Sequence, residues 1–138
     1  MPLRDVDWAY AAGIIDGDGC IRFNRQPSGG LVIRVHVTNT NPILTDWLKQ
    51  TFGGYVWMES KQYAPNRKIR YVWELSAKKA IPFLEGIRPH LRLKTRQCDL
   101  VLAIQRTKRH GRRMTAFDRF SEEASYQTLK LLNKKGIA

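Results

Sequence analysis

The chain has 138 residues and a formal net charge of +12 at neutral pH, from 24 Lys and Arg against 12 Asp and Glu, with 43% of residues hydrophobic. That length and apolar content support one domain with a real core, and the charge predicts a polyanionic partner met mostly through phosphate contacts. Cys20 and Cys98 make no disulfide framework, no His/Cys spacing marks zinc, no apolar run spans a bilayer and the polar N-terminus lacks a signal-peptide core, which points to a soluble intracellular chain.

The first predicted helix begins near Asp5 and runs into Asp16-Gly17-Asp18-Gly19. Ala9, Ala12, Gly13 and Asp16 fall at i, i+3, i+4 and i+7, so one face carries minimal side chains and admits close approach of another helix. The two glycines relax the backbone and permit left-handed turns, so the helix should end there with both aspartates at a packed terminus. If the facing helix is a second copy, a two-fold axis brings two Asp18 carboxylates together, and like charges so placed call for divalent cations. Hard oxygen ligands with open water positions suit Mg²⁺, and two such metals can activate a water and stabilise the leaving oxygen of a phosphodiester. A plain helix-to-strand turn accounts for the same four residues. The run is too short for a calcium loop and lacks its third acidic position and terminal Glu.

From Cys20 to Gln26 apolar and polar residues alternate, Pro27-Ser28-Gly29-Gly30 turns, and Leu31 to Asn39 alternates again, which reads as a hairpin. Arg22, Asn24 and Gln26 lie opposite Ile21 and Phe23; Arg34, His36 and Thr38 lie opposite Ile33, Val35 and Val37. Arg pairs with guanine and Asn or Gln with adenine, and a two-stranded ribbon fits the major groove. Alternation alone describes a wet sheet face equally well. Asn41-Pro42 opens a helix with Ile43, Leu44, Trp47, Leu48 and Phe52 on one face and Gly53-Gly54 as its stop; the spacing puts Trp47 in the core.

A second hairpin is predicted over Tyr55–Tyr63 and Ile69–Ser76, joined through Ala64-Pro65-Asn66-Arg67. Tyr55, Trp57, Glu59 and Lys61 share the face expected to meet nucleic acid, with Val56, Met58 and Ser60 on the other. In the last strand Ile69, Tyr71, Trp73 and Leu75 oppose Arg70, Val72 and Glu74, and charge favours the Arg70 side as the outward one. Helices over Lys78–Gly86, Lys94–Thr107 and Arg119–Asn133 complete the order α-β-β-α-β-β-α-α. This is an α+β domain with helices on one face of a four-stranded antiparallel sheet and the other face free. Residues 86–117 hold nine Lys or Arg against Asp99 alone, and Lys108-Arg109-His110-Gly111-Arg112-Arg113 is either a phosphate clamp or a solvated linker. In the final helix Phe120, Ala124, Leu131 and Leu132 are available for docking. The opening motif is not repeated, so a second carboxylate must come from a second subunit.

Residues 11–19, Ala-Ala-Gly-Ile-Ile-Asp-Gly-Asp-Gly, resemble the LAGLIDADG motif of homing endonucleases, departing from it at Ala11, Ile14 and Gly17. Val37-Thr38-Asn39-Thr40-Asn41-Pro42, the helix closing at Phe52-Gly53-Gly54, and Leu91-Arg92-Leu93-Lys94-Thr95-Arg96-Gln97 look like the family's downstream landmarks in order, so the resemblance covers about Trp8 to Arg106. It implies the homing endonuclease fold over residues 1–138: an αββαββα core with a motif helix at about 5–19, an antiparallel four-stranded DNA-binding sheet and an extra C-terminal helix at about 119–134.

The resemblance also implies a homodimeric, Mg²⁺-dependent endonuclease, with Mn²⁺ as a substitute, that hydrolyses both strands of double-stranded DNA at a long pseudo-palindromic site and is encoded in an intron. Asp18 would bind metal with the Gly17 carbonyl as a second ligand, and Asp16, Ala9, Ala12 and Gly13 would be structural at the dimer axis. Lys94 would lie near the cleavage centre, orienting water or stabilising phosphorane charge, and Asn39 would position a water, since an amide is no general base. Both hairpins would lie over DNA, with Tyr71 and Trp73 turned toward it where charge favours Arg70. An intron-RNA-binding maturase and a non-catalytic DNA-binding regulator on the same fold are the alternatives; retention of both aspartates favours cleavage. The setting that goes with this reading is cytoplasm, nucleoid or organelle matrix.

Overall fold

The computed structural model describes residues 3–27, 30–59, 68–107 and 115–134. Helix α1 spans Asp5–Asp18, with Asp5 and Asp7 in its first turn where the helix dipole favours acids. It ends without a left-handed turn. Gly19 is extended (φ −93°) and is the first residue of strand β1, Gly19–Arg25, so helix passes to strand with no intervening residue. The constraint on Gly19 is space, not conformation: a Cβ there would lie 2.7 Å from the Ile15 Cα.

Strand β2, Leu31–Asn39, pairs antiparallel with β1 in a register that sets Cys20 opposite His36 and Arg22 opposite Arg34. Helix α2, Pro42–Phe52, is opened by the Asn41 side chain, which accepts from the Ile43 N–H at 2.9 Å, with Pro42 in the first turn. Gly53 and Gly54 both have positive φ and stop it. Gly54 is further fixed because a Cβ would press on the Glu74 carbonyl oxygen. Strands β3, Tyr55–Met58, and β4, Tyr71–Ser76, follow, and the sheet order is β1-β2-β4-β3, antiparallel throughout. The expected span of β3 to Tyr63, the connecting Ala64-Pro65-Asn66-Arg67 and residues 28–29 of the first turn lie outside the described residues.

Helices α3, Ala80–Ile87, α4, Thr95–Thr107, and α5, Ala116–Leu132, complete the chain. Where the sequence predicts one helix from Lys78, a 3-10 turn at Ala77–Lys79 comes first, and Ala77 takes a positive φ of 54°. All helices lie on one side of the sheet. The core joins Ile21, Phe23, Ile33, Val35, Val37, Trp73 and Leu75 of the sheet to Ala11, Ala12 and Ile15 of α1, Leu48 of α2, Phe83 and Leu84 of α3, and Val101 of α4. Of the residues expected to dock α5, Phe120 and Leu131 are 72% and 59% exposed and Ala124 is exposed, whereas Leu132 is half-buried. Docking runs through Leu129, Tyr126 and Glu122, because the Asn133 amide bonds the Ile21 carbonyl at 2.8 Å and Arg25 of β1 pairs with Glu123 and covers the Tyr126 ring. No helix among the described residues is long and apolar enough to cross a membrane.

Trp8, Phe52 and Phe83 cluster where α1, α2 and α3 meet, with ring centroids 4.9–6.3 Å apart. Gly86 of α3 lies against the Trp8 ring, in space a Cβ would occupy. In an exposed helix Gly86→Ala would stabilise by about 1 kcal/mol. Here overpacking of a ring held on several sides opposes that gain. Denaturant unfolding of Gly86→Ala should show a net loss of about 1–2 kcal/mol.

Candidate functional site

The C-terminus of α1 is locked to the segment that opens α4. The Asp16 carboxylate accepts the backbone N–H groups of Arg92, Leu93 and Lys94 at 2.7, 3.1 and 3.0 Å. In return the Lys94 ammonium donates to the carbonyls of Ile15 and Asp16 at 2.8 and 3.0 Å. An acid thus meets donors at the start of one helix, and a cation meets carbonyls at the end of another. Asp16 is consequently committed within its own chain, and Lys94 is bonded to the α1 terminus.

Asp18, two residues beyond this clasp, is exposed. The Asn39 Nδ2 lies 3.4 Å from its Oδ2, while Asn39 Oδ1 accepts the Asn41 N–H at 2.8 Å and so turns the amide nitrogen toward Asp18. Among the described residues no group of three or more His, Cys, Asp and Glu could hold a metal ion. One chain therefore offers a divalent cation an exposed carboxylate and the last carbonyls of a helix. These are hard oxygen donors of the kind Mg²⁺ takes, too few to enclose an ion.

The outward face of α1 is not the one the spacing selects. Ala12 is wholly buried against its own core with Ala11 and Ile15, because the helix lies on the sheet through that side. The outward stripe is Val6, Ala9, Tyr10, Gly13 and Gly17, of which Val6 and Tyr10 are 58% and 56% exposed. A Cβ at Gly13 or Gly17 would meet nothing within 4 Å. The members missed from sequence are Val6, Tyr10 and Gly17, and for Gly17 the four-residue spacing from Gly13 was the signal.

On the open face of the sheet the structure brings together Arg22, Asn24, Arg34, His36 and Thr38 with Tyr55, Trp57 and Glu59, while Gln26 continues the β1 edge, its N–H closing the hairpin on Gly30 O at 2.8 Å. Tyr55 and Trp57 are 75% and 44% exposed. Trp73 and Tyr71 require correction. Trp73 is 0% exposed on the helix side, edge-on to Phe83, with its indole N–H donating to Gly53 O at 2.8 Å, and Tyr71 shares that side. The register with β2 sets this parity, so Val72 and Glu74 join the open face, as does Arg70, which pairs with Glu59. Glu74 was missed from sequence although its charge marked the wet side of β4. Lys61 and the basic run Lys108–Arg113 lie outside the described residues.

Charge in this face affects two groups. Burial, with the nearby Arg22 charge, holds His36 below the usual imidazole range against the pull of Glu74. Burial raises the Cys20 thiol more than Arg22 and Lys94 lower it, so it stays protonated near neutrality.

No family model and no curated protein matches the chain by sequence. Solved structures match it in fold. The archaeal intron-encoded homing endonuclease I-Vdi141I complexed with DNA superimposes with a TM-score of 0.75 at 21% identity, over 96% of this chain and 87% of that one. The homing endonuclease I-CvuI in complex with its target in the presence of calcium gives 0.73 at 19%, over 97% and 87%. I-SmaMI bound to an uncleaved DNA target with calcium gives 0.59 at 21%, over 99% of this chain and 47% of that one. The chain has the homing endonuclease fold.

Asp16→Ala, which removes three charge-assisted bonds, should cost about 2 kcal/mol in denaturant unfolding, whereas Asp18→Asn should stay within about 0.5 kcal/mol of the parent. The low folded-state proton affinity of His36 means the unfolded chain binds more protons below about pH 6.5. Stability should therefore fall as pH drops through that value toward the lower folded-state one, and His36→Gln should flatten this part of a pH-dependent melting series.

Proposed function

We propose that this chain is a LAGLIDADG homing endonuclease of the single-motif type, acting as a homodimer that cuts both strands of duplex DNA at a long pseudo-palindromic site. The observation that carries the proposal is the outward face of α1, stripped of side chains at Gly13 and Gly17 and ending at an exposed Asp18. Glycine inside a helix costs about 1 kcal/mol relative to alanine, and no contact among the described residues calls for either one. A second copy of α1 laid on this face accounts for both.

Two-fold symmetry then sets two Asp18 carboxylates, two Asn39 amides and two Gly17 carbonyls around one axis. Asp18 with the Gly17 carbonyl would hold Mg²⁺, for which Mn²⁺ would substitute. A divalent cation bound there supplies Lewis-acid activation of water and charge stabilisation at the leaving oxygen. Asn39 orients solvent beside Asp18 through the amide nitrogen that Asn41 turns toward it. Lys94 serves as a positioning residue, since its ammonium fixes the last turn of α1 from which Asp18 projects.

The open sheet face supplies recognition. Arg, Asn, His, Thr and aromatic side chains on a twisted antiparallel surface offer base-edge donors and acceptors with apolar contacts for thymine methyls. The net charge of +12 supplies affinity for phosphate. Intron RNA, the other polyanion compatible with that charge, has no observation in its favour.

Incubated with a deep randomised duplex library and Mg²⁺, the protein should cut one pseudo-symmetric sequence. Asp18→Asn should bind that sequence and cut it at least about 100-fold more slowly. Gly13→Leu, whose Cβ would meet nothing within 4 Å among the described residues, should fold normally, sediment as a monomer and lose cleavage. Binding without cutting by the parent protein, or a monomer that cuts, would overturn the proposal.

A further inference from the structure

The register of the open face brings Arg22 and Arg34 directly opposite each other. Like charges so paired are unfavourable, and the sequence places no acid on either strand. The relief comes from β4. Glu74, whose cross-strand partner is His36, accepts a hydrogen bond from Arg34 Nη1 at 2.9 Å across the diagonal, with the two side chains 31% and 16% exposed. An unpaired carboxylate here would repel a polyanion lying on the sheet, and this pairing neutralises it. Arg22 is exposed and Arg34 is half-buried, so the two arginines differ in how far they can move.

The pairing also leaves Arg34 with unmet donors. Its guanidinium presents five N–H groups in a rigid plane, one is directed at Glu74, and its Nε is buried with no partner among the described residues. A planar fork held at one corner, partly desolvated and short of acceptors, is prepared for a ligand that offers two acceptors side by side. On a surface facing the major groove, guanine O6 and N7 are that pair. Fixing the plane before binding reduces the side-chain entropy lost on contact, and it penalises bases that cannot fill the fork.

We propose that Arg34 reads a guanine in each half-site and that Glu74 is the positioning residue that sets its plane, an inference that rests on the duplex-DNA reading above. Glu74 thus acts through Arg34 and touches no base itself. Arg22, which has no such clamp among the described residues, contributes to the contact with this guanine only through its charge.

The test is selection of bound sequences from a randomised duplex library by the full-length protein in calcium, followed by position-by-position affinity measurement. The parent should show one guanine per half-site whose replacement weakens binding on the order of 5- to 100-fold. Arg34→Lys should flatten the preference at that symmetric pair of positions and leave the others intact. Glu74→Gln, which keeps shape and removes charge, should flatten the same pair. In the Arg34→Lys background, Glu74→Gln should change base preference no further, as expected of two residues acting as a unit. Arg22→Lys should leave the preference in place.

A purely structural Glu74 would weaken binding at all positions alike or not at all, and either result from Glu74→Gln overturns the inference while the enriched site keeps the endonuclease reading in place. Should Glu74→Gln fail to fold, a uniform loss in Arg34→Lys overturns it equally. If the parent enriches no duplex sequence, the endonuclease reading falls, and this inference with it.

Discussion

Reciprocal capping between two helix ends governs the geometry of this protein. Three N–H groups that open α4 converge on the Asp16 carboxylate, and the Lys94 ammonium closes over two terminal carbonyls of α1. Each side satisfies groups the other helix cannot satisfy for itself. Because the two halves hold each other, the end of α1 is fixed against α4 and not merely against the sheet. Asp18 and the start of β1 inherit their positions from that joint.

The sheet below divides into two surfaces that answer to different solvents. Its helix side is continuous with one apolar core reaching from Ala11 to Leu129, which makes the parity of every strand hard to change. Its open side carries ionisable and aromatic groups that remain half-buried or exposed. Desolvation on that side is enough to disfavour a proton on His36, so its charge pattern at neutral pH is set mainly by Arg22, Arg34, Glu74, Arg70 and Glu59. Two acids set among basic residues leave a positive field while tying particular arginines in place.

Much of this is legible in the amino-acid sequence. Period-two alternation from Cys20 to Asn39 gave the correct faces of both strands, since only one parity buries Ile21, Phe23, Ile33, Val35 and Val37. Asn41-Pro42 and Gly53-Gly54 marked both ends of α2 because they carry explicit cap and stop chemistry. Strand β4 holds bulky residues on both faces, and there the charges of Arg70 and Glu74 pointed to the outward side while the family resemblance pointed to the other; pairing with β2 decides for the charges. The small-residue face of α1 was misplaced for a related reason. Ala11, Ala12, Ala9, Gly13 and Gly17 supply two small faces, and only packing on the sheet shows that Ala12 belongs to the inner one. In α5, Phe120 and Leu131 drew attention by hydrophobicity, whereas the bond from Asn133 to Ile21 and the pairing of Glu123 with Arg25 decide which side docks.

The direct passage from Asp18 into Gly19 has a mechanical meaning. A helix that becomes a strand without a connecting residue is a bent rod, not a hinge, and Gly19 cannot be loosened by substitution because its Cβ position is filled by Ile15. Strand β1 extends seven residues from the bend, roughly 20 Å at the usual rise. All seven of those residues are paired with β2, so the strand is part of the sheet along its whole length. The carboxylate at the root and the surface at the tip are therefore held in one frame, with no linker between them to let one shift without the other.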